Sequence, residues 1–176
     1  MKFNVDVVRI RENSIQLNGW AIGKTPDAKI AGTAVLTGWQ LLFRVHATIE
    51  PNPEKNTPVL VWEISEQDEK NLDRYEGYPV YYRKRELPVE VFPLGGGEPV
   101  NLTAMVYLMA DGHPLREPSE GYYQVLADGY RDFHFPMHIL EQALADTMGR
   151  EKAVKRIGEC SLTRPGRKEE RHEVSH

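Results

Sequence analysis

The stretch NLDRYEGYPVYYRK, residues 71–84, contains one carboxylate in a position suited to proton transfer. Glu76 precedes a glycine and lies four residues after Leu72, so the two side chains share a face if the segment is helical. A carboxylate directed toward the core loses hydration, which raises its pKa toward neutrality. The partial negative charge at a helix C-terminus acts in the same direction. Such a group can take and return a proton near neutral pH, as a general acid/base must.

A structural ion pair is the alternative interpretation of Glu76. Arg74, Arg83 and Lys84 are close in sequence, and perturbed carboxylates in proteins often serve structure. The basic run YRKR, residues 82–85, could attract a substrate carboxylate, but such runs are common on solvated strand faces. Spacing alone leaves these interpretations open.

A helix must position Glu76, and the flanking residues predict its ends. Ser65 is a suitable N-cap, and Asp68 follows three residues later in an arrangement close to a capping box. Gly77 suits a left-handed C-cap, so the helix is predicted to run from Ser65 to about Tyr75. The apolar run before it, residues 58–65, and the alternating run after it, residues 81–94, predict strands.

Strand patterns dominate the middle of the chain. Residues 28–51 predict two or three strands broken by Gly32 and Gly38, GGGEP predicts a hairpin loop, and residues 101–110 predict a further strand. Ser119 caps a second predicted helix, and Pro136 separates it from a third over residues 138–148. We predict an α+β fold, with a small mixed, mostly antiparallel β-barrel and flanking helices. Residues 1–148 form one domain in this prediction, and residues 149–176 form a polar C-terminal tail.

Composition narrows the classes of function. The chain has 176 residues and a net charge of −4, which argues against broad electrostatic binding of nucleic acid. The single cysteine, Cys160, excludes an internal disulfide, and the histidines show no metal-ligand pattern because Pro136 lies between His134 and His138. No apolar run approaches membrane-spanning length and no leader opens the chain, so we expect a cytoplasmic protein without a membrane partner.

Three stretches resemble the gamma-glutamylcyclotransferase-like family. They are PDAKIAGTAVLTGWQLLFR with ATIEP after it, VLVWEIS with LDRYEGYP and YYRK after it, and PSEGYYQVLADGYRDFHFP. The LDxxEG block is the fairly specific part, and the likeness covers residues 25–144. The resemblance implies a small mixed β-barrel with flanking helices.

The resemblance also implies roles for individual residues. Glu76 matches the family's general acid/base, and Tyr82 and Tyr122 match tyrosines that line the substrate pocket. In the family reaction, the α-amine of a gamma-glutamyl group attacks its own γ-carbonyl, closes 5-oxoproline and releases the attached amine. Attack within one molecule removes much of the entropic barrier. The implied partner is therefore a small-molecule gamma-glutamyl substrate, and no metal or other cofactor is implied.

The N-terminal segment departs from the family pattern. The family opens with a strand that reads roughly FAYGSN, whose turn holds the substrate carboxylate or the oxyanion. Counting back from PDAK places Tyr-Gly-Ser-Asn on Glu12, Asn13, Ser14 and Ile15, of which only the serine matches. Shifted reading frames of the codons allowed for this segment restore motif-like residues. We hypothesise that residues 1–24 are a frame-slipped translation, and simple divergence is the alternative.

Two classes of function follow from these features. The presence of Glu76, Tyr82 and Tyr122 favours an enzyme, whereas the altered N-terminal turn favours a catalytically impaired member that binds a small ligand or a protein. Glutathione, gamma-glutamyl amino acids, gamma-glutamyl amines and gamma-glutamylated biosynthetic intermediates share the same reacting half. No residue in the sequence distinguishes their leaving groups or predicts the oligomeric state.

Overall fold

A computed structural model describes residues 2–6 and 28–162, with side chains described as far as residue 158. This part of the chain contains five strands and four helices. The strands are β1 (Lys2–Asp6), β2 (Lys29–Arg44), β3 (His46–Ile64), β4 (Tyr82–Val91) and β5 (Val100–Met109). The helices are α1 (Glu66–Glu76), α2 (Glu120–Asp132), α3 (Met137–Met148) and α4 (Arg150–Leu162).

The five strands form one mixed sheet in the order β2-β3-β1-β5-β4. Neighbouring strands are antiparallel except β1 and β5, which are parallel and pair Asn4 with Met105 and Val5 with Val106. The hairpin predicted at GGGEP joins β4 to β5, whose end residues Val91 and Val100 are paired. The predicted α+β class with a mostly antiparallel sheet is confirmed.

The sheet curls until its two edges touch, but it is not a closed barrel. The N–H of Thr33 at the β2 edge donates to the Phe92 carbonyl at 3.0 Å, and the Phe92 N–H donates back at 2.8 Å. Gly32 permits this approach, because a Cβ there would lie 2.3 Å from the Phe92 carbonyl oxygen. A single bridge therefore joins the edge strands, which gives the sheet a barrel-like curvature without a continuous ladder.

One long hairpin replaces the shorter strands predicted over residues 28–65. Gly32 and Gly38 do not end β2; the β2–β3 register shifts beside each of them, which marks bulges. Gly38 takes a positive φ of 81° at its bulge. The run predicted over residues 58–65 as a separate strand is the second half of β3. Glycine was interpreted as a strand end where it supplies a bend within a strand.

The helix that carries Glu76 has the predicted ends. Ser65 Oγ accepts the N–H of Asp68 at 3.0 Å, and Asp68 Oδ2 accepts the N–H of Ser65 at 3.1 Å, which completes a capping box. Gly77 follows α1 in the left-handed conformation, with φ 64° and ψ 35°. Leu72 is buried, as its helical spacing predicted.

The remaining helices pack against the curved sheet and cover its core. Ser119 caps α2 through the N–H of Tyr122, as predicted, and Pro136 precedes α3. The buried side chains of α2 and α3 pack with those of the sheet in one cluster, which includes Phe43, Val59, Val61, Tyr130, Leu140 and Leu144. No helix in the described ranges is long and apolar enough to cross a bilayer.

The predicted tail after Gly149 is wrong for residues 150–162, which form α4. Ala153 is buried in the main core, and Ile157, one turn later, packs against that core. Arg156 donates to the Pro118 carbonyl at 2.5 Å, just before the cap of α2. The polar composition concealed this helix because, up to residue 158, where its side chains are described, two core-facing residues four apart mark its buried face. Residues 163–176 lie outside the described residues.

Candidate active site

Glu76 is the last residue of α1 and is half-buried. The chain turns sharply after it: the N–H of Tyr78 donates to the Asp73 carbonyl at 2.9 Å, and the N–H of Gly77 reaches the Arg74 carbonyl at 3.4 Å. This cap fixes the backbone on both sides of Glu76. The carboxylate is therefore carried on a rigid helix terminus beside the sheet.

Two acidic side chains precede Glu76 on the same face of α1 and bind lysines. Lys84 of β4 contacts Glu69 at 2.7 Å and Asp73 at 2.6 Å, and Lys2 of β1 also bonds to Glu69. Burial acts to lower the pKa of Lys84, but its hydrogen bonds to Asp73 and Glu69 more than offset burial and raise that pKa. The lysine considered as a partner of Glu76 thus forms ion pairs with the two carboxylates before it.

Tyr107 of β5 is a site residue that the sequence analysis missed. Its hydroxyl donates to Asp73 at 2.7 Å, and it lies directly opposite Lys84 in the β4–β5 register. Burial raises the Tyr107 pKa, and the hydrogen bond to Asp73 and the nearby charges of Glu69 and Glu76 raise it further. Tyr107 therefore remains a protonated donor, and Glu76 lies within electrostatic range of it. A β-strand register, which sequence periodicity does not supply, was needed to find this contact.

The basic run of β4 divides between the two faces of the strand. Tyr82 and Lys84 lie on the face covered by α1, and the alternation of a strand puts Arg83 and Arg85 on the other. The guanidinium of Arg85 lies 5.4 Å from the centroid of the Trp39 ring. The four residues therefore do not form one basic patch for a substrate carboxylate.

Tyr122 borders the beginning of β3, and the cross-strand partner of Tyr82, Met109, approaches the same segment. Tyr82 pairs with Met109, whose N–H approaches Thr48 Oγ1 at 3.4 Å. Tyr122 of α2 accepts the N–H of Ala47 on its hydroxyl at 3.1 Å. The Tyr122 ring also packs edge-on against His46, with the ring centroids 5.2 Å apart. The structure thus places Tyr122 against this segment of β3 and Tyr82 one strand away, beside Met109; that both tyrosines line a common pocket with Glu76 stays a prediction.

The carboxyl-terminal ends of the neighbouring parallel strands β1 and β5 lie side by side at one end of the sheet. The two strands are parallel, with Val5 beside Val106, so Asp6 at the end of β1 lies near the level of Tyr107. The chain therefore leaves β1 at the end of the sheet where β5 carries Tyr107 and Met109. Residues 7–27, which include the positions matched to the FAYGSN turn, lie outside the described residues.

A separate cavity of about 260 Å³ lies between the hairpin and α3. It is lined by polar and apolar residues alike: Gln40, Leu41, Glu54, Lys55, Asn56, His138, Ile139, Gln142, Ala143 and Asp146. None of Glu76, Tyr82 and Tyr122 lines it. In the described part of the chain, no group of three or more acidic, histidine or cysteine side chains could hold a metal ion.

Comparison with known proteins identifies the family. The sequence profile described as gamma-glutamyl cyclotransferase, AIG2-like, matches residues 11–131, a range that includes Glu76, Tyr82 and Tyr122. The chain belongs to this family. No curated protein matches the chain.

Solved structures share the fold at low sequence identity. The uncharacterized human protein loc79017 is 20% identical, with a TM-score of 0.57, and the alignment covers 82% of this chain and 88% of that one. A structure titled gamma-glutamyl cyclotransferase is 21% identical, with a TM-score of 0.54, and the alignment covers 90% and 99% of the two chains. Mixed five-stranded sheets with flanking helices are therefore the shared architecture.

The ion pairs of Glu69 predict a specific pH dependence of stability. Burial acts to raise the Glu69 pKa, but hydrogen bonds from Lys2 and Lys84 outweigh it and hold the pKa below its ordinary value of 4.5. A lowered folded-state pKa stabilises the fold above the unfolded value, and this contribution is lost as pH falls through the folded-state value. Glu69→Gln should therefore lower the free energy of unfolding at neutral pH by up to about 1 kcal/mol for the Lys84 pair, measured as a lower urea midpoint.

The difference between Glu69→Gln and the unchanged chain should shrink progressively below the ordinary glutamate pKa. Glu54→Gln is the matched control, because Glu54 is exposed on β3. An equal loss at neutral and strongly acidic pH would show that the carboxylate charge of Glu69 does not stabilise the fold.

Proposed function

We propose that this protein is a gamma-glutamylcyclotransferase-like enzyme that releases 5-oxoproline from a gamma-glutamyl amine or peptide. The observation that carries the proposal is the position of Glu76. It is a half-buried carboxylate on a capped helix terminus, and its charge acts on Tyr107 of β5. Membership of the gamma-glutamyl cyclotransferase, AIG2-like family supports the same reaction.

The reaction needs two proton transfers and one new bond. The α-amine of the substrate loses a proton and its nitrogen attacks the γ-carbonyl carbon, which forms the five-membered lactam. The bond from that carbon to the leaving nitrogen then breaks, and the leaving amine gains a proton. We assign both transfers to Glu76, which takes a proton from the substrate ammonium and returns it to the leaving nitrogen; the second proton of the attacking nitrogen passes to the released amine, which departs as an ammonium. For this cycle we propose that partial burial keeps the Glu76 pKa raised.

Tyr82 and Tyr122 are proposed to line the pocket that holds the substrate folded. A substrate held with its amine near its own γ-carbonyl has already lost most of the freedom that the reaction must remove. The contact of Tyr122 with Ala47, and that of Met109, the cross-strand partner of Tyr82, with Thr48, support this proposal. The developing oxyanion requires N–H donors, and residues that follow β1 are proposed to supply them at the carboxyl end of that strand.

A binding module without catalysis is the second candidate function. The observation that favours it is the sequence of residues 12–15, where only Ser14 matches the turn that the family uses. In this case the same edge of the sheet would bind a small ligand or a protein without turnover.

Incubation with a panel of gamma-glutamyl compounds separates the two candidates. The panel contains glutathione, gamma-glutamyl amino acids and gamma-glutamyl amines, and 5-oxoproline is scored by mass. We expect 5-oxoproline from at least one class, which would also identify the leaving group. Binding of these compounds without 5-oxoproline would support the module, and neither binding nor turnover would exclude gamma-glutamyl substrates from both proposals.

A further inference from the structure

Glu69, Asp73 and Glu76 lie on one face of α1, spaced by four and three residues. The first two are tied to the sheet. Lys84 bridges Glu69 and Asp73, and Tyr107 donates to Asp73. Because Lys84 and Tyr107 are cross-strand partners, the last turns of α1 are attached to β4 and β5 at the same level. Glu76 is the next residue on that face and the one assigned to chemistry.

Asp73 connects this attachment to the backbone of Glu76. Its carboxylate accepts the Tyr107 hydroxyl, while its carbonyl accepts the N–H of Tyr78. Glu76 lies within the turn from Asp73 to Tyr78, and the hydrogen bond from the Tyr78 N–H to the Asp73 carbonyl closes this turn. A displacement of Asp73 would therefore be transmitted to Glu76 through a rigid cap rather than absorbed by a flexible loop.

We propose that Tyr107 and Asp73 are positioning residues, and that their hydrogen bond holds the last turn of α1 so that the Glu76 carboxylate has one fixed direction. The inference rests on the proposed function for what Glu76 does, but the positioning itself is a property of the fold. Catalytic groups must be held close to the productive geometry, since a misplacement of about 1 Å can cost on the order of a hundredfold in rate.

The chemistry of the pair suits a constant restraint. Tyr107 is neutral and half-buried, and it retains the proton that it donates to Asp73. The ammonium of Lys84 contacts Asp73 and also lies 4.8 Å from the centroid of the Tyr78 ring. Tyr78 is the residue whose N–H completes the cap of α1. Asp73 is thus held by a neutral donor, a cation and the main chain at once. A surface ion pair alone would leave its carboxylate free to rotate.

Tyr107→Phe is the direct test, because it removes the hydroxyl and keeps the ring. The primary measurement is the carboxyl ¹³C resonance of Glu76, assigned by its absence in Glu76→Gln, and it requires no turnover. We expect the resonance to shift or broaden in Tyr107→Phe. In any form of the chain that turns over substrate, kcat should fall about tenfold while KM changes by less than about twofold.

Tyr81→Phe is the matched control, because it removes an exposed tyrosine hydroxyl near the same helix terminus. It should leave both the resonance and kcat unchanged. Asp73→Asn keeps an oxygen that can accept the Tyr107 hydroxyl, so it should perturb Glu76 less than Asp73→Ala does. If Asp73 had a purely structural role, the changes in the Glu76 resonance and in kcat would instead follow the loss of thermal stability in each Asp73 variant.

An unchanged Glu76 resonance and unchanged kcat in Tyr107→Phe would overturn the inference. If the unchanged chain releases no 5-oxoproline from any compound of the panel, the proposed function fails, and the resonance still decides whether the pair positions Glu76.

Discussion

Glu76→Gln is expected to abolish 5-oxoproline release. Glutamine has nearly the same size as glutamate, but its amide can neither take the proton from the substrate ammonium nor return it to the leaving amine. General acid/base groups contribute about a hundred- to ten-thousand-fold to rate, so kcat/KM should fall by that factor. The fold should persist, because Glu76 is half-buried at a helix end whose cap is formed by main-chain groups. The measurement is 5-oxoproline release with the best substrate of the panel.

Glu90→Gln provides the matched control for this prediction. Glu90 is exposed on β4 and undergoes the same change from carboxylate to amide. It should retain full turnover. Turnover at the original rate in Glu76→Gln, with the fold intact by circular dichroism, would remove Glu76 from the mechanism and require another base.

Restoring the family turn after β1 is expected to raise activity strongly. The change places FAYGSN on residues 10–15 through Ile10→Phe, Arg11→Ala, Glu12→Tyr, Asn13→Gly and Ile15→Asn, with Ser14 kept. Loss of one oxyanion donor costs about a hundred- to a thousand-fold in rate, and restoration should recover at least that factor.

The restored chain carrying Glu76→Gln is the internal control, and it should be silent. Equal turnover in the original and the restored chains would mean that the original N-terminal residues supply an equivalent site. Activity of the restored chain that survives Glu76→Gln would instead contradict the acid/base assignment. The nucleotide sequence across residues 1–24 tests the frame-slip hypothesis separately, because only a short insertion or deletion that restores the motif is compatible with it.

Local signals predicted the element that carries Glu76 almost completely. Ser65, Asp68 and Gly77 specify the ends of α1 by contacts within a few residues, and the structure shows those contacts. The same holds for Ser119 at α2. Caps depend on short-range hydrogen bonds, so a sequence contains the information needed to place them.

Features that depend on distant residues were missed. The Tyr107–Asp73 bond joins residues 34 positions apart and depends on the β4–β5 register. In the described part of α4, Ala153 and Ile157 face the core from within a polar run, and their docking depends on a core formed elsewhere. The glycines of β2 suggested breaks, because sequence does not show that the neighbouring strand continues past them. Three-dimensional context decided each of these cases.

The central position of β1 has a consequence for how the chain folds. Five residues, Lys2–Asp6, lie between β3 and β5 and join the two hairpins into one sheet. On the ribosome β1 is made first, but β5, its parallel neighbour, follows about a hundred residues later. Until then the side of β1 away from β3 is an open edge, which is prone to associate with other chains. The sheet is therefore completed only when β5 pairs with a strand that was made about a hundred residues earlier.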